Sequence, residues 1–506
     1  MSTCNCGFYP TVIIPGIGQS KVDLYSLEGK KIKNVWPLSV DEKAVLKRLA
    51  PKVAGLFFGM DKAFCESLKA VISDIISPLR LNVDGVPVNK LCPVDYNGGS
   101  VGECTEDEKR YIYNMVPIKP LGEIIGEDHM FFFSYNSFGQ PYETAKALHE
   151  YIQNVKEKTG HDKVNIVPVS LGATITTAYL DMYGNRGDIH RICYFVPAAN
   201  GSTLIADVFD DNVNYSCADS IFELLLGPSS AKTLSSFLGR VPPESRENIL
   251  RAVIDTVRDK LLLNCPGMWA TVPKERFESI AENHLSKGSQ SMLRAKAFRY
   301  YRAQCRLKEL LEQQKAMGVK IFDVCGYGEK LLSFSENSKI NSDTIVDFSS
   351  ASLGGTSAFI SEKLESAAGE YVSADKQVDL STAICPDTTF CFKHQIHDYA
   401  GFNDVAISLC AKILTDEAFT DIHSSESYPQ FNGSRNTHNL KYCMLPQAYE
   451  LLEKNLPAHV RAELDDAVLL AQNLFGKTLI DDFDEADRVI VRLGAAINAA
   501  KHMSVK

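Results

Sequence analysis

Val164-Asn165-Ile166-Val167-Pro168-Val169-Ser170-Leu171-Gly172-Ala173 is a run of β-branched apolar residues that ends in a serine and passes at once into small, helix-tolerant residues. It reads as a strand, a sharp turn and a helix that continues through Thr174 toward Ala178-Tyr179-Leu180. A serine at such a corner is held in a strained backbone conformation, which lifts its hydroxyl clear of the sheet and aims the following backbone N–H groups at whatever binds there. Ser170 is therefore the candidate nucleophile. The motif that marks this turn is G-x-S-x-G; Gly172 fills the second glycine position and Pro168 stands in the first. Alone, the stretch also fits a serine that caps a buried helix, so the assignment needs partners elsewhere in the chain.

Working outward, Ala145, Leu148, Ile152 and Val155 recur at helical spacing between Pro141 and Lys158, and His129 to Tyr135 before them reads as a strand. Beyond the serine, Arg191 to Val196 is another strand, running into Pro197-Ala198-Ala199-Asn200-Gly201-Ser202. Successive strand–helix units predict a mostly parallel, doubly wound sheet with helices on both faces, an α/β fold. Thr11 to Gly16 forms an earlier strand ending in Pro15-Gly16-Ile17-Gly18-Gln19-Ser20. That turn lacks the lysine of a phosphate loop and the spacing of a dinucleotide fingerprint. It fits a loop that supplies backbone donors to an oxyanion, and almost as well a plain turn. Residues 41–79 read as two helices bearing the apolar patch Leu56 to Met60, and Val83-Asp84-Gly85-Val86 as a hairpin turn.

Alternation stops after Ser202. Residues 203–318 are predominantly helical, with Ile221 to Leu226, Ile249 to Leu263 and Ser291 to Met317 among the pieces, and are expected to form an inserted cap or lid. Within it, Met268 and Trp269 lie in an apolar, turn-rich segment, Cys265 to Pro273, and are candidates to face a substrate, core packing being an equal alternative. The core, begun in residues 1–202, resumes over 319–415 with the strand Val319 to Val324 and later Thr389 to Phe392. Residues 416–440 turn to Ser, Asn, Asp, Gly and His and read as a linker, and 441–506 as a C-terminal three-helix bundle.

With 506 residues and 45% apolar content the chain can bury a large core. A net charge of −10 with both signs interspersed offers no basic stripe for nucleic acid. Fourteen cysteines without C-x-x-C pairs give no zinc spacing, and in so long a chain they read as free thiols; no metal and no cofactor is expected. No run approaches the ~20 apolar residues that span a bilayer. The start shows no signal-peptide pattern, so the chain as it stands is expected to be cytoplasmic, or extracellular or cell-wall-associated where a signal has been removed.

A serine hydroxyl needs a base to take its proton and an acid to orient that base. His397, after the last predicted strand and before a helix, is the expected base, with His394 as the alternative. Asp343, in a loop after the penultimate strand, is the expected acid, with Asp347 and Asp323 as alternatives. Leu171 N–H, fixed by the turn, and Ile17 N–H are the candidate oxyanion donors.

These pieces, together with Val12 to Ser20, Val35-Trp36-Pro37-Leu38, Pro197 to Ser202, Cys265 to Pro273, Gly326-Tyr327-Gly328 and Asp343 to Val346, resemble the lecithin:cholesterol acyltransferase-like lipase branch of the α/β-hydrolase superfamily, in a bacterial-type form. The matches are spread over residues 10–413. The resemblance implies an α/β-hydrolase fold and a lipase, phospholipase, esterase or O-acyltransferase, with Ser170, Asp343 and His397 at the triad positions and a lipid or other ester as substrate. It also implies transient contact with a membrane surface through the cap. Pro168 and the cap sequence depart from the family pattern, which leaves substrate identity open. The C-terminal bundle distantly resembles helical modules appended to bacterial surface proteins. The competing expectation is a non-catalytic protein of the same fold that binds a lipid or protein partner.

Overall fold

Runs of β-branched and aromatic residues alternating with amphipathic helices build a seven-stranded sheet. The computed structural model describes residues 7–38, 41–96, 98–116, 118–217, 239–286, 288–432, 440, 444–475 and 483–504. The strands are β1 (Thr11–Ile14), β2 (Met130–Phe132), β3 (Val164–Pro168), β4 (Ile189–Phe195), β5 (Lys320–Tyr327), β6 (Thr389–Lys393) and β7 (Phe431–Asn432), in the spatial order β7-β6-β5-β4-β3-β1-β2. Every pairing in it is parallel. A parallel sheet is covered on both faces, which is why β1, β2 and β3 are buried along their whole length.

Six of the helices that cover it are α1 (Lys119–Ile125), α2 (Pro141–Thr159), α3 (Gly172–Tyr183), α4 (Ser291–Cys305), α5 (Leu307–Ala316) and α6 (Asp404–Thr415). On one face Ile14, Ile166, Ile192 and Ile321 meet Leu148 and Ile152 of α2, Ala178 of α3, Tyr300 of α4 and Leu311 of α5. On the other, Ile13, Val167, Phe195 and Val324 meet Leu121 of α1 and Ile407 and Leu414 of α6. The period of two along β3 sends Ile166 to one core and Val167 to the other.

The chain runs from β1 to the outer strand β2 and returns on the other side of β1 to form β3. The winding direction therefore reverses between β1 and β3. In open parallel sheets that reversal leaves a crevice at the carboxyl ends of the strands, here bounded by the loop after β1 and by Ser170 after β3.

Several segments differ in detail from the expectations. β7, paired Cys391↔Phe431 and Phe392↔Asn432 with β6, falls within residues 416–440; two residues among polar neighbours carry no readable period. Within 203–318, α4 and α5 pack on the sheet itself through Tyr300, Ala303, Leu310 and Leu311, while Phe277, Trp269 and Val272 belong to a separate core. Ile221 to Leu226 lies outside the described residues. Strands Val22–Tyr25, Lys31–Trp36 and Lys90–Pro93 add a small antiparallel sheet. The helices Leu445–Leu452, Ala458–Phe475 and Phe483–Ser504 share a core of their own that includes Leu464 and Leu493. The buried cysteines among the described residues are free thiols.

Asp323, inside β5, is fully buried with neither carboxyl oxygen hydrogen-bonded. Burial pushes its pKa well above the ordinary 3.8, the backbone of Val324 pulling the other way. A carboxyl so raised binds its proton more tightly folded than unfolded. The stability it leaves intact below pH 3.8 is therefore lost as pH rises toward the folded-state value. Asp323→Leu is expected to raise the unfolding free energy at neutral pH by about 1–3 kcal/mol, the scale of an unsatisfied buried polar group, and to flatten this decline. Urea unfolding of both proteins across pH checks it.

Candidate active site

Ser170 adopts φ +52, the left-handed conformation that a strand-to-helix corner demands. A non-glycine residue there carries about 1–3 kcal/mol of strain, which the surroundings hold in place. Val169 N–H donates to Ile14 O at 2.9 Å, Ser170 N–H to Phe195 O at 3.2 Å, and Ala198 N–H to Ser170 O at 3.0 Å. Gly172 is required by packing: a Cβ there would lie 2.2 Å from Ile14 O. Pro168 is accommodated because β3 stops pairing with β4 after Ile166↔Ile192, contact resuming at Val169↔Phe195. No ladder bond is lost to its missing N–H.

His397 opens the turn between β6 and α6 and points back at the serine. Its Nε2 lies 2.9 Å from Ser170 Oγ and its Nδ1 2.7 Å from Asp343 Oδ2. A carboxylate oxygen accepts, so Nδ1 donates to Asp343, and Nε2 is left to accept from the Ser170 hydroxyl. Asp343 is fully buried, and its Oδ1 accepts from the N–H groups of Ile345 and Val346 at 3.1 and 2.8 Å. The backbones are also joined, His397 N–H donating to Asp343 O at 2.8 Å. Gly326 lets this corner close, since a Cβ there would sit 2.5 Å from Gln395 O and 3.0 Å from Asp343 Cβ. Burial pulls the His397 pKa down, but the Asp343 charge and hydrogen bond, helped by Asp398, outweigh it. The net shift is upward from the ordinary 6.5.

The alternatives serve other roles. His394, at φ +57, bonds Glu329 Oε1 through Nδ1 at 2.7 Å. Asp347 accepts from Thr203 N–H at 2.7 Å, and Asp323 stays inside its strand.

The loop after β1 lies against Ser170. A Cβ on Gly16 would come 2.9 Å from Ser170 Cβ and 3.4 Å from Ser170 Oγ. Gly16 N–H donates to Gln19 Oε1 at 2.6 Å, Tyr135 OH to Pro15 O at 2.6 Å, Gly18 N–H to Ser137 Oγ at 3.2 Å and Trp36 Nε1 to Gly18 O at 2.8 Å. Among the described residues no group accepts from Ile17 N–H or Leu171 N–H.

A cavity of about 470 Å³ runs from Ser170 and His397 into the space between the sheet and α1 and α6. Its lining is mainly apolar and includes Trp36, Ile118, Leu121, Val167, Ile407 and Phe402. Met268 and Trp269 do not line it. They are buried in the helical core, where Trp269 Nε1 donates to Leu263 O at 2.9 Å and the ring meets Phe209 and Phe277 edge-on. An indole with its N–H satisfied inside an aromatic cluster packs as core. Trp36 is the tryptophan at the site; it stands beside a glycine-rich turn in space, whereas in sequence it follows a plain polar strand. The residues of α1 and α6 carry no signal beyond ordinary helical periodicity. Among the described residues no cluster of His, Cys, Asp and Glu is arranged to hold a metal ion, and no helix is long and apolar enough to cross a membrane.

No protein-family model matches the chain, and no curated protein is matched either.

Proposed function

We propose that this protein is a serine acyl hydrolase or O-acyltransferase with an α/β-hydrolase fold, akin to the lecithin:cholesterol acyltransferase-like lipases. The observation that carries the reading is the hydrogen-bonded chain Asp343–His397–Ser170, set at the crevice where the sheet reverses direction. Ser170 Oγ attacks an ester carbonyl as His397 Nε2 takes its proton. Asp343 holds the ring in the required tautomer and stabilises the imidazolium. Leu171 N–H and Ile17 N–H receive the oxyanion; His397 returns the proton to the leaving alkoxide, giving an acyl-enzyme. Water, or an alcohol in the transferase case, reverses these steps.

The apolar lining supports an aliphatic acyl group as the part of the substrate held beside Ser170. Ile17 and Phe402 line the cavity yet are 45% and 52% exposed, which supports contact with a lipid surface at this mouth. In a series of p-nitrophenyl esters, kcat/KM is expected to rise up to roughly fourfold per methylene, from about 0.8 kcal/mol per buried CH₂, until the cavity is full. A flat series would remove the acyl assignment.

A fluorophosphonate probe tests the chemistry directly. The wild type is expected to form a covalent adduct and Ser170→Ala none. An unlabelled wild type would favour the non-catalytic binding protein, and equal labelling of both would place the nucleophile elsewhere. Product analysis with added alcohols separates transfer from hydrolysis.

A further inference from the structure

The cavity at Ser170 is open at one end and closed at the other, and the register of its walls gives its depth. Val167 of β3, Val169 just beyond it and Phe195 of β4 project into it from one face of the sheet. Val169 and Phe195 stand level, joined by a parallel bridge. Side chains on one face recur every second residue, about 6.6 Å apart along a parallel strand. The next residues inward on this face, Asn165 and Cys193, are fully buried and do not line the cavity.

The facing helices end the cavity at the same depth. α6 runs antiparallel to the strands: Phe402, just before its first turn, stands at the mouth, and Leu414 O near its far end accepts from Asn165 Nδ2 at 3.1 Å. Between them Ile407 and Cys410, three residues apart on one helix face, line the cavity. Exposure falls along this series, from 52% at Phe402 to 2% at Ile407 and 1% at Cys410. Cys410 Sγ lies 3.7 Å from Cys193 Sγ, so helix and sheet meet there. On α1, Ile118 and Leu121 line the cavity, whereas Ile125, one turn further, is packed in the core. The chamber therefore ends at the Cys193–Cys410 contact.

Its length limits what it can hold. From Ser170 to the level of Cys193 is three strand residues, about 10 Å. Contact between a terminal methyl and the Cys410 sulfur takes up about 4 Å of this. The remaining ~6 Å holds about five carbons of a zigzag chain with bonds near 1.5 Å, counted beyond the ester carbonyl.

We propose that this cavity is a closed subsite for a medium-chain acyl group of about six carbons, and that Cys410 sets the length limit. The proposal rests on the reading of Ser170 as the nucleophile: the ester carbonyl sits beside Ser170, and the chain points inward past Val167 and Ile407 toward the Cys410 thiol. A floor so placed selects esters of medium-chain acids over those of the longer acids common in bilayer lipids.

The test is steady-state kinetics with p-nitrophenyl butyrate, hexanoate, octanoate, decanoate and dodecanoate, each below its micelle concentration, compared as kcat/KM ratios within each protein. The wild type is expected to peak at hexanoate or octanoate and to fall by roughly tenfold or more at dodecanoate, the scale of overfilling a closed apolar space. Cys410→Leu puts a bulkier side chain at the floor. It is expected to move the peak to butyrate and to lower the octanoate-to-butyrate ratio by roughly tenfold, the burial of about two methylenes. Cys410→Ala removes the sulfur and is expected to move the peak outward, raising the decanoate-to-hexanoate ratio by about fourfold, the burial of one methylene. The two substitutions act in opposite directions, so either decides the matter where the other fails to fold. Rates that climb through dodecanoate, or an optimum that stays in place in a folded Cys410 variant, overturn the proposal and leave Ser170 as the nucleophile. Absence of any ester cleavage, together with no fluorophosphonate adduct, overturns both.

Discussion

His397→Ala is expected to lower kcat for ester cleavage by about a million-fold, the scale on which a serine nucleophile loses its base. His394→Ala is expected to stay within about threefold, that is, within roughly 0.7 kcal/mol of barrier. The two histidines are three residues apart and both are bonded to a carboxylate, but only one touches the serine. His397 Nε2 is 2.9 Å from Ser170 Oγ, whereas His394 Nδ1 pairs with Glu329. Steady-state kinetics on a soluble ester, with circular dichroism to confirm folding, decide the matter. The opposite ranking would remove His397 as the base.

Asp343→Asn is expected to lower kcat by about ten-thousand-fold and to move the acid limb of the pH–rate profile to lower pH. Two effects combine. An asparagine can present an N–H to His397 Nδ1, which favours the tautomer whose Nε2 carries a proton and cannot accept from Ser170. The asparagine also lacks the charge that holds the His397 pKa above 6.5 against burial. Because the base acts when neutral, activity falls as pH drops through the His397 pKa. The wild-type midpoint should therefore lie above 6.5 and the variant midpoint below that of the wild type. An unchanged midpoint in Asp343→Asn would refute the electrostatic part of this account.

Much of the central architecture is readable in the residues. The apolar runs ending at Ile14, Pro168 and Phe195 are continuous because both faces of a parallel sheet are buried. The corner at Ser170 is marked by a strand running straight into Gly172, the residue that lets a helix start against Ile14. Asp343 and His397 stand in loops that follow strands, where an α/β fold gathers its polar groups. Local periodicity fails where partners decide the outcome: β7 is two residues long, and α4 and α5 carry the same amphipathic pattern whether they pack on the sheet or in a separate cap.

Taken alone, the sequence determined that the chain builds an α/β sheet and which polar side chains stand at its strand ends. These follow from local period and turn chemistry, properties that neighbouring residues share. Tertiary structure decided the rest. It joined His397 rather than His394 to Ser170, across 227 positions of chain, and left Asp347 bonded to Thr203 N–H with its other carboxyl oxygen buried and unpartnered. It also exchanged one tryptophan for the other, seating Trp269 among aromatic rings and Trp36 beside the loop that lies against the serine. The reason is geometric. A hydrogen bond or a cavity wall is defined by distances of a few ångströms between segments that the chain itself leaves hundreds of residues apart, and residue type along one segment does not encode them.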